Sequence, residues 1–229
     1  MGSGSREANI MDKVVIAIDG PAGSGKSTIA KIISKKLNFT YIDTGAMYRM
    51  VTLYFIENKI SKDEENHVLA ALDNIKIDMK DDKFYLNNVD VSEKIRDVAV
   101  TNNVSSIAAI NVVRENMVVL QRDISIGKDV ILDGRDVGTV IFPNAKYKFY
   151  LDADINIRAK RRYSEMLNKN IDINYEDVLL DMIKRDKNDT ERENSPLRKA
   201  EDAIIISTDN KTIEEISNYI INTIKRGCK

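Results

Sequence analysis

The stretch at residues 14–28, VVIAIDGPAGSGKST, decides the fold. An apolar, β-branched run ends at Asp19, a glycine-rich loop follows, and a helical pattern begins directly after the loop. This order contains the G-x-x-x-x-G-K-[ST] pattern of a phosphate-binding loop between a strand and a helix. Glycines without a Cβ let backbone N–H groups surround phosphate oxygens, and the next helix adds its positive dipole end. An ordinary glycine-rich turn is the alternative, but the complete pattern in this setting favours nucleotide binding.

Two side chains of the loop have chemical roles in such a site. Lys26 reaches the β- and γ-phosphates, and the hydroxyl of Ser27 binds Mg²⁺. The residues expected to bind the nucleotide are Gly20, Pro21, Ala22, Gly23, Ser24, Gly25, Lys26, Ser27 and Thr28.

Composition excludes several classes of protein. The length of 229 residues leaves room for one α/β domain with an inserted subdomain, and a content of 43% hydrophobic and 31% charged residues is typical of a soluble globular protein. A net charge of −1 argues against nucleic acid or an anionic membrane as a partner. The single cysteine, Cys228, excludes an internal disulfide and a cysteine-based metal site. Without a membrane-spanning run or a signal peptide pattern, we expect a cytoplasmic protein, with residues 1–10 as an expression leader.

The strand and helix patterns predict a parallel sheet. A helix follows the phosphate loop, a second strand covers residues 41–43, and Thr44 can cap a helix over 45–58. This strand–helix–strand–helix order begins a parallel α/β sheet. Further buried strands at 130–133, 147–151 and 203–206 bring the sheet to five strands. Helices to cover it are predicted at 111–126, 155–167, 175–192 and 213–225.

The pattern changes between residues 61 and 105. A short helix at 64–72 is followed by short alternating strands at 75–79, 84–86 and 89–91. We interpret residues 61–105 as an insertion with a small antiparallel sheet of its own, and 11–60 with 106–229 as the core. The only histidine, His67, is expected on the surface of the short helix.

Carboxylates and arginines follow the apolar strand at 130–133. Asp133 ends this strand, at the edge where open α/β sheets bind ligands, and Arg135 and Asp136 come just after it. Beside a phosphate loop, such an aspartate can hold Mg²⁺, often through water. Its alternative role is to cap the turn at Gly134. The metal role is favoured.

Helical spacing groups the remaining arginines. Arg158, Arg161 and Arg162 share one helix face, and a second face carries Arg185, Asp189 and Arg192. The alternative for each set is a solvated surface, where an i,i+4 ion pair contributes a few tenths of a kcal/mol. The phosphate loop alone leaves ATPases, GTPases, kinases and helicases open.

Taken together, these motifs resemble those of the bacterial cytidylate kinases. The segments that carry the resemblance run in order from about residue 14 to residue 207. They are GPAGSGKST at 20–28, DTGAMYR at 43–49, Ile95-Arg96, Ser105 with Arg114, LDGRDVGTVIFP at 132–143, and Arg185-Asp186 through Asp189 to Arg192. DTGAMYR and DGRDVGTVIFP are specific to that family rather than to phosphate-loop kinases at large. The insertion at 61–105 also resembles the bacterial type.

The resemblance implies an architecture and a reaction. It implies a five-stranded parallel P-loop kinase sheet flanked by helices, an inserted nucleoside-monophosphate-binding subdomain at 61–105, and a short helical lid at 155–170. The implied reaction transfers the γ-phosphoryl group of ATP, bound with Mg²⁺, to CMP or dCMP. The expected partners are these nucleotides, not nucleic acid or a membrane, and the protein is expected to be a monomer. The alternatives are another nucleoside-monophosphate kinase with a different base preference and a nucleotide-dependent switch or binding module.

The resemblance also assigns roles to single residues. Arginine forks would surround the acceptor phosphate, and a carboxylate would accept from the exocyclic amine of cytosine. The phosphate ligands would be Arg49, Arg135 and Arg192, the cytosine ligands Ser105, Arg114 and Asp136, and the sugar ligands Arg185 and Asp189. The full CMP-binding set is completed by Thr44, Tyr48 and Asp133. The catalytic set is Lys26 with the lid residues Arg158, Arg161 and Arg162, and the metal ligands are Ser27 and Asp133.

Overall fold

The structure is a computed structural model that describes residues 13–80 and 82–227. Its strands are β1 (Val15–Asp19), β2 (Thr40–Asp43), β3 (Ile77–Lys80), β4 (Lys83–Leu86), β5 (Val89–Asp90), β6 (Val130–Gly134), β7 (Tyr147–Asp152) and β8 (Ile204–Ser207). A π-helical turn over Val137–Ile141 follows β6. The proposed leader at 1–10 and Cys228 lie outside the described residues.

The helices are α1 (Lys26–Leu37), α2 (Thr44–Glu57), α3 (Glu65–Asp73), α4 (Val98–Ile107), α5 (Asn111–Ser125), α6 (Ile155–Leu167), α7 (Tyr175–Glu191) and α8 (Ile213–Gly227). Within the described chain, no helix combines the length and apolar character needed to cross a membrane. The ends of the predicted elements differ from these bounds by no more than two residues.

Five strands form a parallel sheet in the order β2-β6-β1-β7-β8. This confirms the predicted α/β class and the five-stranded parallel sheet. The register places Asp19 beside Gly134 and Asp43 beside Asp133. The carboxyl ends of β1, β2 and β6 therefore meet at one edge, where the loops that follow them can share a ligand.

Two apolar cores cover the faces of the sheet. Because successive strand residues point to opposite faces, Ile16 and Ile18 of β1 pack with α1 and α8, while Ala17 faces α2 and α5. Residues 16–18 of β1 and 130–132 of β6 are completely buried, so both faces of the sheet centre are covered. This double coverage explains why the strands read as continuous apolar runs in the sequence.

The insertion contains the predicted antiparallel sheet, in the order β3-β4-β5. Phe84 and Leu86 of β4 are buried in the same core as α2, so the small sheet packs on the main body. Asp82, directly before β4, reaches α1 and forms ion pairs with Lys31 at 3.4 Å and Lys35 at 3.0 Å. His67 is exposed and lies 2.7 Å from Glu64, in agreement with its predicted surface position.

Helix α4 was not predicted from the sequence. Its sequence, VAVTNNVSSI, is rich in β-branched and polar residues with weak helix propensity. The helix is stabilised instead by packing, since Val100, Val104 and Ile107 are buried and α4 lies against α2. Helix α4 continues across residue 105, the predicted end of the insertion, so no break in secondary structure marks that position. The domain boundary there stays a prediction.

The start of α2 differs from the prediction. The side chain of Asp43, not that of Thr44, caps the helix by accepting a hydrogen bond from the Ala46 N–H at 2.8 Å. The Thr44 hydroxyl instead donates to the carbonyl oxygen of Asp133 at 2.7 Å. A carboxylate suits the positive end of the helix, and the buried hydroxyl finds its acceptor on the neighbouring strand.

Two glycines allow a test of how tightly the phosphate loop packs. Gly20 has a φ of +147°, and a Cβ there would lie 2.1 Å from the carbonyl oxygen of Leu151. Gly127 has a φ of +71°, but a Cβ there would meet nothing within 4 Å. We expect Gly20→Ala to lower the free energy of unfolding by about 3 kcal/mol or more, because a backbone clash adds to the conformational strain. Gly127→Ala, the control, should cost about 1–2 kcal/mol from strain alone. Urea denaturation measures both, and equal losses would contradict the proposed clash.

Candidate active site

The predicted phosphate loop lies at the carboxyl end of β1, directly before α1. Gly23 and Gly25 adopt φ values of +75° and +86°, which residues with a Cβ rarely adopt. Lys26 folds back over the loop, where its Nζ donates to the Pro21 carbonyl oxygen at 2.6 Å and to Ser24 Oγ at 3.3 Å. Burial, followed by the charge of Arg135, holds the pKa of Lys26 well below its ordinary value. A phosphate next to this amine would supply the negative charge that favours its protonated form.

Asp133 accepts hydrogen bonds from two neighbouring hydroxyl groups. Ser27 Oγ donates to Oδ2 at 2.7 Å, and the Tyr41 hydroxyl donates to Oδ1 at 2.6 Å. Burial and the nearby charge of Asp43 raise the pKa of Asp133 to about 6. A nearby cation would favour the ionised carboxylate, so the Ser27–Asp133 pair fits the oxygen ligands that Mg²⁺ prefers.

Tyr41 is a site residue that the sequence analysis missed. It lies two residues before Asp43 on β2, and pairing with β6 brings its hydroxyl to Asp133. Burial, with Asp133 and Asp43 nearby, raises its pKa above the ordinary value for tyrosine. No local motif marks this position, because the contact depends on the order of the strands in the sheet.

One cavity of about 270 Å³ opens beside the phosphate loop. It brings together the whole predicted CMP-binding set with the two metal ligands, Lys26 and one lid arginine. The lining residues from these sets are Lys26, Ser27, Thr44, Tyr48, Arg49, Ser105, Arg114, Asp133, Arg135, Asp136, Arg162, Arg185, Asp189 and Arg192. The face that carries Arg185, Asp189 and Arg192 lines this cavity. For α7, the alternative of a solvated surface is therefore wrong.

Buried ion pairs organise one wall of the cavity. Arg114 Nη2 donates to Asp136 Oδ2, and both side chains are almost completely buried. Arg135 Nε donates to Asp189 Oδ2 at 2.9 Å. Arg192 lies 3.8 Å from both Asp136 and Asp189, so the two carboxylates are shared among three arginines.

Arg49 also lines the cavity and connects α2 with residues 95–101. Its Nη1 donates to the carbonyl oxygen of Ile95 at 3.1 Å and to Thr101 Oγ1 at 3.0 Å. Burial and the nearby charge of Arg162 lower its pKa to about 10. An anionic ligand is therefore expected to stabilise this guanidinium.

Several donors beside the cavity are buried without a hydrogen-bond partner among the described residues. They are Tyr48 Oη, Arg114 Nε, Arg185 Nε and Arg192 Nη2. A buried donor without a partner costs about 1–3 kcal/mol. All four belong to side chains that line the cavity, so a polar, anionic ligand there could satisfy them.

The three predicted lid arginines contact different parts of the structure. Arg158 donates to Ala22 O at 3.0 Å and to Asp186 Oδ2 at 2.6 Å. Arg161 donates to the carbonyl oxygen of Thr208 at 2.6 Å, after β8. Only Arg162 among the three lines the cavity.

Comparison with known proteins agrees with this geometry. The chain matches the family model described as cytidylate kinase over residues 16–226. A cytidylate kinase of Fusobacterium nucleatum is 57% identical over 216 residues, which cover 94% of this chain and 99% of the relative. A cytidylate kinase of Clostridioides difficile is 49% identical over 214 residues, which cover 93% and 99%.

Among solved structures, an uncharacterized protein from Eubacterium ventriosum aligns with a TM-score of 0.54 and 14% sequence identity. The alignment covers 93% of this chain and 99% of that one. At this identity the likeness shows the fold alone.

The charges that surround Arg185 and Arg158 predict opposite effects of their replacement on the stability of the protein. Burial and the charge of Arg135 lower the pKa of Arg185 to about 10, and its Nε has no hydrogen-bond partner. We expect Arg185→Met to raise the unfolding free energy of the ligand-free protein by about 1 kcal/mol, because a poorly compensated charge is removed. Arg158→Met, the control, should lower it by about 3 kcal/mol, because the partly buried Asp186 loses its cation and the carbonyl oxygens of Ala153 and Ala22 lose their donor. Thermal denaturation measures both. A loss of stability in Arg185→Met would contradict the inferred charge imbalance.

Proposed function

The chain belongs to the cytidylate kinase family, and from this premise we propose that it transfers the γ-phosphoryl group of ATP to CMP or dCMP. The bond between the γ-phosphorus and the bridging oxygen breaks, and a bond to an oxygen of the acceptor phosphate forms. The products are ADP and CDP or dCDP. The observation that carries the proposal is that the phosphate loop and the arginine–carboxylate wall line one cavity.

The donor side uses the phosphate loop. Backbone N–H groups of residues 20–28 bind the ATP phosphates. The ammonium group of Lys26 contacts the β- and γ-phosphates and stabilises their negative charge during transfer. Ser27 and Asp133 would hold Mg²⁺, with Asp133 acting directly or through water. When bound, the ion neutralises phosphate charge in the transition state. The described residues contain no cluster of three or more potential metal-ligating side chains, so the nucleotide itself would supply most of the ligands.

The acceptor phosphate is bound by arginines. Arg49, Arg135 and Arg192 present guanidinium groups to the cavity, and Arg192 keeps a buried nitrogen without a hydrogen-bond partner. A phosphate dianion accepts several forked hydrogen bonds and offsets the mutual repulsion of the arginines. The acceptor oxygen is already ionised near neutral pH, so alignment and charge neutralisation suffice without a general base.

The base is read by Ser105, Arg114 and Asp136. Asp136 accepts from the exocyclic amine of cytosine, and Arg114 donates to a ring acceptor. Uracil has a carbonyl where cytosine has that amine, so the carboxylate repels it. The Tyr48 ring lies 5.2 Å from the Arg114 guanidinium, which supports the position of that side chain.

The sugar and the lid complete the proposal. Arg185 and Asp189 are placed next to the phosphate-binding arginines and contact the sugar hydroxyls. Arg162 acts on the transferring group from the cavity wall, as one of the three lid arginines of the sequence analysis. Arg158 and Arg161 join it only if they exchange their present hydrogen bonds for bonds to the nucleotide.

Acceptor choice tests the base-reading residues. Losing a buried polar partner costs about 1–3 kcal/mol, so we expect kcat/KM for CMP and dCMP to exceed that for UMP and AMP by about tenfold or more. An assay of ADP release with each acceptor at fixed ATP measures these ratios. Equal values for CMP and AMP would indicate a kinase with another base preference, and no turnover with any acceptor would favour a switch or binding module.

A lysine substitution separates the donor loop from the acceptor site. Lys26→Ala should lower kcat by about 10²-fold or more, because charge stabilisation at the transferring phosphoryl is lost. The Kd for CMP in the absence of ATP, measured by calorimetry, should stay within about threefold of the parent value. Lys36→Ala is the matched control, since Lys36 lies on the same helix and donates a hydrogen bond to the exposed Asn218. Full activity of Lys26→Ala would reject the role given to the loop.

A further inference from the structure

A buried carboxylate connects the two loops of the site without lining the cavity. Asp19, the last residue of β1, is 5% exposed. Its Oδ1 accepts from the Val137 N–H at 2.9 Å and its Oδ2 accepts from the Gly138 N–H at 2.7 Å. Both oxygens are thus fixed by consecutive backbone donors at the start of the π-helical turn.

The two ends of this contact belong to different halves of the reaction. On one side, Asp19 directly precedes Gly20, whose Cα has no room for a Cβ against Leu151. On the other side, Val137 directly follows Arg135-Asp136, the segment given to the acceptor. Since β1 and β6 are paired at Asp19 and Gly134, the carboxylate closes a short rigid link between the donor loop and the acceptor segment.

Burial of this carboxylate is unfavourable by itself. Burial raises the pKa of Asp19 to about 6, although its two backbone hydrogen bonds and the charge of Lys26 oppose the shift. An apolar side chain would fill the space without this desolvation cost. A carboxylate differs in that it holds two N–H groups at once and in one orientation.

We propose that Asp19 is a positioning residue, which aligns the acceptor segment at Arg135-Asp136 with the phosphate loop for in-line transfer. This inference rests on the proposed transfer to CMP. Asp19 does not line the cavity and both of its oxygens are held by backbone N–H groups, so we expect each nucleotide alone to bind without its help. Alignment of the two matters only when both are bound, and a displacement of about 1 Å can cost on the order of 10²-fold in rate.

The variant Asp19→Asn tests this role. The amide keeps the size of the side chain but retains one acceptor oxygen and turns an NH₂ group toward a backbone N–H. We expect kcat with CMP to fall by about 30-fold or more. The Kd of CMP alone and that of a non-hydrolysable ATP analogue alone, measured by calorimetry, should stay within about threefold of the parent. Assays at about pH 8 keep the parent carboxyl ionised, given its pKa of about 6.

The matched control is Asp129→Asn. Asp129 accepts from the Val14 N–H at 2.8 Å, so it makes the same kind of bond at the opposite end of the β1–β6 pair. Its kcat should stay within about twofold of the parent, even where its melting temperature falls as much as that of Asp19→Asn. A purely structural role for Asp19 would give the two variants the same kinetics at equal stability.

A second variant keeps the test valid if Asp19→Asn does not fold. In Gly138→Ala the new Cβ would lie 3.3 Å from Asp19 Oδ2 and 3.2 Å from Lys148 Cδ, which displaces the N–H from the carboxylate. We expect the same loss of kcat with unchanged binary affinities.

The outcomes separate the two proposals. A parent enzyme that does not phosphorylate CMP overturns the proposed function and this inference with it. An active parent with variants whose kcat stays within threefold overturns the positioning role alone. Loss of both binary affinities in proportion to kcat also overturns it, because general damage then explains the rate.

Discussion

The parallel pairing of β1 with β6 is the constraint on which the site depends. Backbone hydrogen bonds fix the register at Asp19 and Gly134, and the same register fixes where the loops after both strands begin. A slip by one residue would turn Ile16 and Ile18 away from their core, so burial of these side chains protects the register. The apolar core thereby determines the distance between the phosphate loop and the segment that carries Arg135 and Asp136.

This geometry concentrates positive charge that the fold alone does not favour. Burial lowers the pKa of Arg49 and of Arg185 to about 10. Carboxylates compensate the positive charge of these arginines to different extents. Asp189 raises the pKa of Arg135 against the effect of burial, whereas Arg185 has a buried Nε without a hydrogen-bond partner among the described residues. An anionic ligand offsets what the protein's own carboxylates do not, so ligand binding and stability are linked in this cavity. We therefore expect an anionic ligand to raise the stability of the protein.

Features encoded within a short stretch of sequence could be predicted, and contacts between distant stretches could not. Local spacing predicts the phosphate loop, the five apolar strands and the polar face of α7. In a parallel sheet the carboxyl ends of the strands lie along one edge, which brings the loops that follow them together. Tyr41 reaches Asp133 only through the β2–β6 pairing, and Asp19 reaches Val137 across the β1–β6 pair. Helix α4 has weak propensity and forms because it packs against α2. The Thr44 hydroxyl likewise depends on a contact between distant stretches, since its acceptor lies on β6 rather than in its own helix.

The arginines of α6 show how far helical spacing can be used. Spacing predicts one common face for Arg158, Arg161 and Arg162, but their hydrogen-bond partners differ. Arg158 donates to Ala22 and Asp186 and Arg161 donates to Thr208, whereas Arg162 pairs with Glu165 of its own helix. Arg158 donates to the phosphate loop and to the partly buried Asp186, so moving this side chain breaks both a hydrogen bond and an ion pair. Closure of the whole helix would have to exchange these bonds for bonds to the nucleotide, whereas the partly exposed Arg162 can move its side chain alone. In the closing step of the proposed reaction, the lower reorganisation cost therefore favours Arg162 as the first lid arginine to reach the transferring phosphoryl group.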